Sequence, residues 1–217
     1  MKDRTILIGI DWGASTFRAW AFDEEGDVIG GISVPDGILT HTGDAMGRLK
    51  FHINEWLSEW PEVPMIACGG IGGAQGIQRT EYRPVPMLIS DLPRHLVEVN
   101  GIHIVPGLKQ ASPPDVMRGE ETQIAGFLKS FPKFDGVICL PGTHTKWVRI
   151  SAEEIVSFQT FMTGEMFSLL ADRSVLRHSV DATELDEAAF STAVTDAMAR
   201  PQSIAAKLFN IRADALI

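Results

Sequence analysis

Apolar and polar positions alternate over three short stretches at the start of the chain. Residues 5–10 (TILIGI) form an apolar run rich in isoleucine, which favours a strand buried on both faces. Residues 17–22 (FRAWAF) alternate as a second strand, and residues 28–34 form a third. Turns at 11–16 and 25–27 separate them. The chain is therefore predicted to open with a three-stranded meander.

The same arrangement recurs in the second half of the chain. Strands are predicted at 136–140, 146–150 and 155–162, and the small polar turn 141–145 (PGTHT) follows the first of them. This repeat of strand, small polar turn and strand predicts two related halves that meet over one cleft. We place the boundary near Phe134, which predicts domains at 1–134 and 135–217.

Helical spacing of apolar residues predicts the elements between and after the two meanders. Residues 44–60 carry apolar side chains three and four positions apart and end before Pro61, so they are predicted to form one helix. Further predicted helices lie at 120–131, at about 165–176 and at 183–216, the last broken at Pro201. Residues 64–68 and 102–106 are predicted strands, and prolines at 84, 86 and 93 indicate irregular chain.

Composition and charge narrow the classes of partner. The chain is 45% hydrophobic and 22% charged, as in folded soluble proteins, and its net charge of -9 leaves no positive field for nucleic acid or an anionic membrane. Cys68 and Cys139 lie in apolar runs without metal-ligand spacing, so buried thiols are predicted rather than a disulfide. The apolar run at 5–10 is too short for a signal peptide or a membrane helix, which indicates the cytoplasm.

Both meanders place glycine and hydroxyl groups directly after a buried strand. Backbone amides and hydroxyls in such a turn can approach phosphate oxygens, and a carboxylate such as Asp11 can hold a hydrated Mg2+. The alternative is an ordinary hairpin with Asp at a turn position. Two such turns, one in each half, favour phosphate binding. The turn residues are Gly13, Ser15 and Thr16 in the first meander and Gly142, Thr143 and Thr145 in the second.

Two glutamates, Glu120 and Glu121, begin the helix that is predicted before the second turn. A carboxylate at a helix N-terminus stabilises the helix through its dipole, and this role is sufficient to explain one of the two glutamates. Phosphoryl transfer to an alcohol needs a base that receives the hydroxyl proton, and a helix start facing a cleft can position it. Glu120 is predicted in that role, with Glu121 as the alternative.

A glycine-rich loop, residues 69–76, follows the predicted strand at 64–68. It lacks the Lys-Ser/Thr of a phosphate-binding P-loop and is not followed by a clear helix. We therefore predict that it forms a close-approach loop around a substrate.

Five strings follow one another along the chain: IDWG at 10–13, RAW at 18–20, RGEETQ at 118–123, LPGTHTKWV at 140–148 and TFMTGE at 160–165. In this order they resemble the 2-dehydro-3-deoxygalactonokinase family of the sugar kinase, hexokinase and actin class. The resemblance covers nearly the whole chain. It implies an α/β fold of two ribonuclease H-like, actin-like ATPase domains with mixed five-stranded sheets flanked by helices. The second domain is expected to be incomplete, because family members continue for roughly another third of this length.

The resemblance also implies an activity and a set of site residues. The family transfers the γ-phosphate of ATP to the 6-hydroxyl of 2-dehydro-3-deoxy-D-galactonate, using Mg2+, in galactonate catabolism. Asp11 would hold the metal through water, the turn residues of both meanders would line the phosphates, and Glu120 would accept the hydroxyl proton. The expected substrate contacts are Arg18, Gln75, Gly76 and Glu121, and Arg18 would pair with the carboxylate of the sugar acid.

One part of the chain departs from the family pattern. The glycine loop reads GAQGI at 73–77 where SRQGW is expected, which removes one arginine and one aromatic from the expected substrate side. The alternatives are therefore a kinase of another sugar acid or polyol, or a catalytically silent sugar-binding fragment of the same fold. Oligomeric state stays open, with a homodimer as one alternative.

Overall fold

The first sheet is the predicted opening meander extended by further strands. A computed structural model describes residues 5–40, 43–180 and 184–217. Within these residues the sheet has six strands in the order β3-β2-β1-β4-β8-β7, where β1 pairs antiparallel with β2 and parallel with β4. The strands are β1 (Leu7–Trp12), β2 (Phe17–Phe22), β3 (Val28–Val34), β4 (Met65–Gly69), β7 (Val97–Val99) and β8 (Ile102–Ile104).

A hydrophobic core lies on one face of this sheet. Alternate residues of β1 point into it, including Ile8 and Trp12, and they pack against helix α1 (Ala45–His52). The prediction of one helix over 44–60 was wrong, because α2 (Asn54–Glu59) is separate and Ile53 between them has φ -114°. The Asn54 carboxamide oxygen accepts the Glu55 N–H, and this local bond competes with continuation of the helix.

The second predicted meander is confirmed, with small shifts at its ends. The strands β11 (Gly136–Leu140), β12 (Thr145–Ser151) and β13 (Glu154–Phe161) pair antiparallel in sequence order, and β6 (Met87–Leu88) joins the edge of β13. Helix α3 (Glu120–Ser130) packs against this sheet through Ile124 and Leu128. These contacts form a second hydrophobic core, which includes Val148 of β12.

Short strands also occur near Pro84 and Pro86, where irregular chain was predicted, and at 108–117, where no element was predicted. A small sheet has the order β10-β9-β5, formed by β5 (Arg83–Pro84), β9 (Leu108–Ala111) and β10 (Pro114–Met117). Two-residue strands such as β5 and β6 carry no alternation pattern, so only their distant partners define them. The predicted strand at 102–106 ends earlier, at Ile104.

The prediction for the cysteines was half correct. Both are free thiols, and Cys68 is buried, but Cys139 is exposed. Cys139 follows the inward-facing Ile138 in β11, so the alternation of the strand turns its side chain outward. The apolar run of β11 is therefore buried on one face only, and Cys139 lies on the other.

The described chain divides into two compact units. The first comprises Met1–Pro141 and Thr145–Phe161, and the second comprises Gly142–His144 and Met162–Ile217. The second unit is helical, with α4 (Thr163–Ser168) continuing as a π-helical turn to Arg173, then α5 (Glu187–Ala199) and α6 (Ile204–Asp214). The predicted helix break at Pro201 is confirmed by a 3-10 turn there, whereas residue 183, the predicted start of this helical region, lies outside the described residues.

The α/β class is thus confirmed, although the described strands form sheets of six, three and four rather than of five. Domains at 1–134 and 135–217 stay a prediction. Across the described residues, every helix is too short or too polar to cross a bilayer.

Candidate active site

Asp11 lies near the end of β1, on the face opposite the first core. The strand register places it beside Arg18 of β2 and Cys68 of β4. Its Oδ2 lies 3.6 Å from Arg18 Nη1, and its Oδ1 accepts a 3.9 Å bond from the Cys68 thiol. Burial raises the pKa of Asp11, and the neighbouring Arg18 and Cys68 only partly oppose that rise. Its side chain keeps 20% of its surface exposed, so a ligand can still reach it.

The turn after Asp11 is tight and open to solvent. The Gly13 N–H donates to the Thr16 carbonyl at 2.9 Å, and Ser15 at its tip is exposed. The segment 36–38 contacts this turn, because the Ile38 N–H donates to the Gly13 carbonyl at 2.9 Å. The Trp12 indole N–H also donates to the Asp36 carbonyl at 2.8 Å. The first predicted turn is thus present, and phosphate binding by it stays a prediction.

Glu120 is the first residue of α3, and it lies near enough to Asp11 for the charge of Asp11 to act on it. Its Oε2 accepts the Arg118 backbone N–H at 2.9 Å, and its Oε1 lies 3.9 Å from Lys146 Nζ. Burial raises the pKa of Glu120, while Lys146 and the backbone N–H groups lower it and the nearby Asp11 charge raises it further. The structure therefore brings together the two carboxylates that the sequence singled out.

Glu121 points the other way, into the protein. It is fully buried, and both of its carboxylate oxygens accept the Gly119 N–H, at 2.9 and 2.8 Å. Burial raises the pKa of Glu121 to about 7. These contacts support a structural role at the helix start, and substrate contact by Glu121 stays a prediction.

The glycine loop begins directly beside Asp11, because β4 pairs with β1 and ends at Gly69. A short 3-10 turn covers Gly70–Gly72, after which Gln75 is exposed and Gly76 is half-buried. The exposed part of the loop, with Gln75, is available for a ligand. Contact of Gln75 and Gly76 with substrate stays a prediction.

The second predicted turn connects β11 to β12. Its tip, Gly142–His144, belongs to the second compact unit, whereas Thr145 belongs to the first and is buried. Within the second unit, the Thr143 carbonyl accepts the Glu165 N–H at 3.0 Å and His144 Nε2 lies 2.6 Å from Glu165 Oε2. The convergence of both turns on one polyphosphate stays a prediction.

Two residues of the site were inside the quoted strings but had no predicted role. Lys146 is 5% exposed beside Glu120, and Arg118 joins the start of α3 to the glycine loop. A signal for Lys146 exists in the sequence, because it occupies the core-facing position two residues before Val148 in β12. A lysine at a core position is a violation of the binary pattern, and such violations occur at functional sites.

Comparison with known proteins gives a consistent result. A family model described as 2-keto-3-deoxy-galactonokinase matches residues 11–217. A Rhizobium meliloti (strain 1021) protein assigned as a 2-dehydro-3-deoxygalactonokinase is 33% identical over an alignment 217 positions long, which covers 96% of this chain and 71% of that protein. The 2-dehydro-3-deoxygalactonokinase of Escherichia coli (strain K12) is 31% identical over 211 residues, which cover 95% of this chain and 70% of that protein.

A solved structure agrees with the sequence comparisons. The crystal structure of a Sinorhizobium meliloti protein assigned to the 2-dehydro-3-deoxygalactonokinases superposes with a TM-score of 0.87 at 32% identity. The match covers 97% of this chain and 72% of that one. The resemblance carried by the five strings is confirmed, and with it the class of sugar-acid kinases. The chain belongs to the 2-keto-3-deoxy-galactonokinase family.

Proposed function

We propose that this chain phosphorylates 2-dehydro-3-deoxy-D-galactonate at its 6-hydroxyl with ATP, through a site built on Asp11 and Glu120. The observation that carries the proposal is that two partly buried carboxylates, at the end of β1 and at the start of α3, lie near each other. Lys146 is close to Glu120, and Arg18 is close to Asp11. An acidic pair flanked by cations is suited to phosphoryl transfer, which depends on positioning and on charge.

Glu120 is the proposed base. The 6-hydroxyl oxygen attacks the γ-phosphorus, the bond from that phosphorus to the bridging β,γ-oxygen breaks, ADP leaves, and the hydroxyl proton passes to Glu120. The bond from the Arg118 N–H to Oε2 holds one carboxylate oxygen in place, while Oε1 faces Lys146. The carboxylate is therefore oriented before substrate arrives.

Asp11 is the proposed ligand of a hydrated Mg2+. Mg2+ keeps several waters and binds through one or two carboxylates together with substrate phosphates, so one accessible carboxylate is sufficient. Asp11 fits this requirement, because its side chain is partly exposed and its nearest cation, Arg18, is 3.6 Å away rather than in a tight ion pair. When bound, the ion would neutralise charge on the phosphates.

Both turns are proposed to hold the phosphates of ATP. The support is chemical, since each turn offers backbone N–H groups and hydroxyls after a strand. The residues proposed for this contact are Gly13, Ser15 and Thr16 in one turn and Gly142, Thr143 and Thr145 in the other.

The sugar acid is proposed to bind at Arg18 and at the loop around Gln75 and Gly76. Arg18 has 48% of its side chain exposed, so part of its guanidinium is available to a carboxylate. The loop opens from the end of β4, next to Asp11. These two features lie on either side of the proposed metal ligand, Asp11, along the sheet.

The finer fold assignment belongs to the same proposal. The strand order β3-β2-β1-β4-β8, in which only β2 runs against the others, supports a ribonuclease H-like first domain at 1–134. The antiparallel meander β11-β12-β13 supports the start of a second such domain in 135–217. We further propose that the enzyme acts in the cytoplasm. A homodimer is one alternative for its oligomeric state, and analytical sedimentation would test it.

ADP release measured with ATP, Mg2+ and a panel of sugar acids and polyols tests this function. 2-Dehydro-3-deoxy-D-galactonate should be the preferred substrate, and E120Q should lower kcat by roughly 10² to 10⁴-fold with little change in KM. E55Q, which alters an exposed glutamate of α2, is the control. An unchanged kcat in E120Q would remove Glu120 from the mechanism, and sugar binding by calorimetry without any ADP formation would indicate a binding module.

A further inference from the structure

Arg118 lies between the proposed base and the glycine loop, and it contacts both. Its backbone N–H donates to Glu120 Oε2 at 2.9 Å. Its guanidinium extends to Thr80, just after the glycine loop 69–76, where Nη1 donates to Thr80 Oγ1 at 2.5 Å and Nη2 donates to the Thr80 carbonyl at 3.0 Å. One residue thus connects two parts of the site that are 38 positions apart in sequence.

The plane of this guanidinium is fixed by Tyr82. The Arg118 Cζ lies 4.2 Å from the centroid of the Tyr82 ring, and Arg118 Nε donates to the Tyr82 hydroxyl at 3.4 Å. A stacked, planar fork is a rigid arrangement that lysine cannot reproduce. Nε, Nη1 and Nη2 each donate to the protein, so the contacts point to a role in holding the loop.

Thr80 closes the base of the loop. Its N–H donates to the Gly72 carbonyl at 3.0 Å, and it is 3% exposed. A side chain at position 72 would collide with Arg118 and Thr80, because an added Cβ would lie 2.7 Å from Arg118 Nη1 and 2.8 Å from Thr80 Oγ1. Residues 73–79, with the exposed Gln75, therefore leave the protein at Gly72 and rejoin it at Thr80, and the Ile77 N–H donates to the Ile71 carbonyl at 3.0 Å as a second anchor.

We propose that Arg118 is a positioning residue for the sugar-acid substrate, which acts by clamping Thr80 against Gly72 and so fixing the loop 73–79 relative to Glu120. The inference rests on the proposed function and adds the element that sets the substrate subsite. Without the clamp, substrate binding has to order the loop, and the free-energy cost of this ordering weakens substrate binding. The chemistry at Glu120 keeps its base, since the N–H to Oε2 bond comes from the backbone.

Steady-state kinetics on the full chain separate this role from a general loss of structure. R118M and R118K should each raise KM for the sugar acid by about tenfold, the size expected for lost charge-assisted hydrogen bonds, with little change in kcat or in KM for ATP. T80V removes one acceptor of the clamp and should change KM in the same direction. R94M is the matched control, because Arg94 is 78% exposed in an ion pair with Asp91.

The alternative is that Arg118 contacts the substrate carboxylate directly. In that case R118K would keep much of its affinity and T80V would bind substrate normally, and this pair of results would overturn the proposal. G72A places a methyl group against Arg118 Nη1 and should resemble R118K, so it carries the same test if R118M does not fold.

Hydrogen exchange gives a readout that does not depend on activity. Amides of residues 73–79 should exchange faster in R118K and T80V than in the wild-type chain, while those of β1 and α3 should be unchanged. Equal exchange in the loop would contradict the clamp. If the wild-type chain forms no ADP, the proposed function fails, and the exchange comparison still decides whether Arg118 holds the loop.

Discussion

Lys146 Nζ lies 3.9 Å from Glu120 Oε1, on the core-facing side of β12. This separation exceeds the 2.7 to 2.9 Å that is typical of a direct ammonium–carboxylate hydrogen bond, by about 1 Å. Lys146 is only 5% exposed, and a buried ammonium is costly unless an anion is near it. Lys146 is therefore held close to Glu120 by charge, without a tight bond that would fix the carboxylate to it.

Replacing Lys146 by Met should change the pH dependence of the enzyme. Burial and Asp11 raise the pKa of Glu120, and Lys146 is the side-chain cation that opposes them. Without it the pKa of Glu120 rises further, so the acidic limb of kcat/KM should move to higher pH. The pH–rate profile of K146M measures this, with K129M on the exposed end of α3 as control. A limb that stays in place would show that Lys146 does not control the base.

Gly37 should tolerate no side chain, because its backbone lies against the first turn. An added Cβ would lie 1.9 Å from the Ala14 carbonyl oxygen and 2.3 Å from the Ser15 nitrogen. G37A should therefore lower the free energy of unfolding by about 3 kcal/mol, as overpacking does, and weaken any phosphate binding by the turn. Urea unfolding and calorimetry with ATP and Mg2+ measure the two effects.

Gly126 provides the opposite control. It lies inside α3, and an added Cβ would have nothing within 4 Å. G126A should raise the free energy of unfolding by roughly 0.5 to 1 kcal/mol, since Ala is the better helix former. A destabilising effect of the same size in both variants would mean that the close approach at Ala14 is not what limits residue 37.

Glu121 should make stability fall as pH rises. Burial raises its pKa from 4.5 to about 7, so the folded chain holds this proton more tightly than the unfolded chain does. Its contribution is fully present below about pH 4.5 and is lost as pH approaches about 7, a decrease of roughly 3 kcal/mol in the free energy of unfolding. Urea unfolding between pH 4.5 and 7.5 should show a less negative slope in E121Q than in the wild type, and parallel slopes would refute this.

The two cysteines should differ sharply in reactivity. Cys139 is exposed, whereas Cys68 is buried, and burial together with the charges of Asp11 and Glu121 raises the pKa of its thiol. A thiol reagent should therefore label Cys139 in the folded chain and both cysteines only in denaturant. The C139S variant should lose the fast reaction. Rapid labelling of Cys68 in folded C139S would contradict the described burial.

Local patterns were sufficient for the two meanders, for α3 and for the helices that follow the second meander. Alternation and helical spacing act within a few residues, so they can be read along the chain. Alternation alone did not decide which face of β11 meets the core, and for this reason Cys139 was wrongly predicted as buried. The short strands β5 and β6 depend on contacts that no local window contains, because each pairs with a strand distant in sequence. The helix break at Ile53 and the β9–β10 hairpin are local features, but the spacing of apolar residues does not reveal them.

The sequence by itself determined the family and singled out the two acids proposed for the site, because the strings that carry Asp11 and Glu120 are contiguous and ordered. Only the tertiary structure decided what surrounds those acids. Lys146 lies beside Glu120 although 26 positions separate them in the sequence, and Arg118 contacts Thr80 across 38 positions. Charge and hydrogen bonding act over a few ångströms in space, and the fold alone sets which distant residues come within that range.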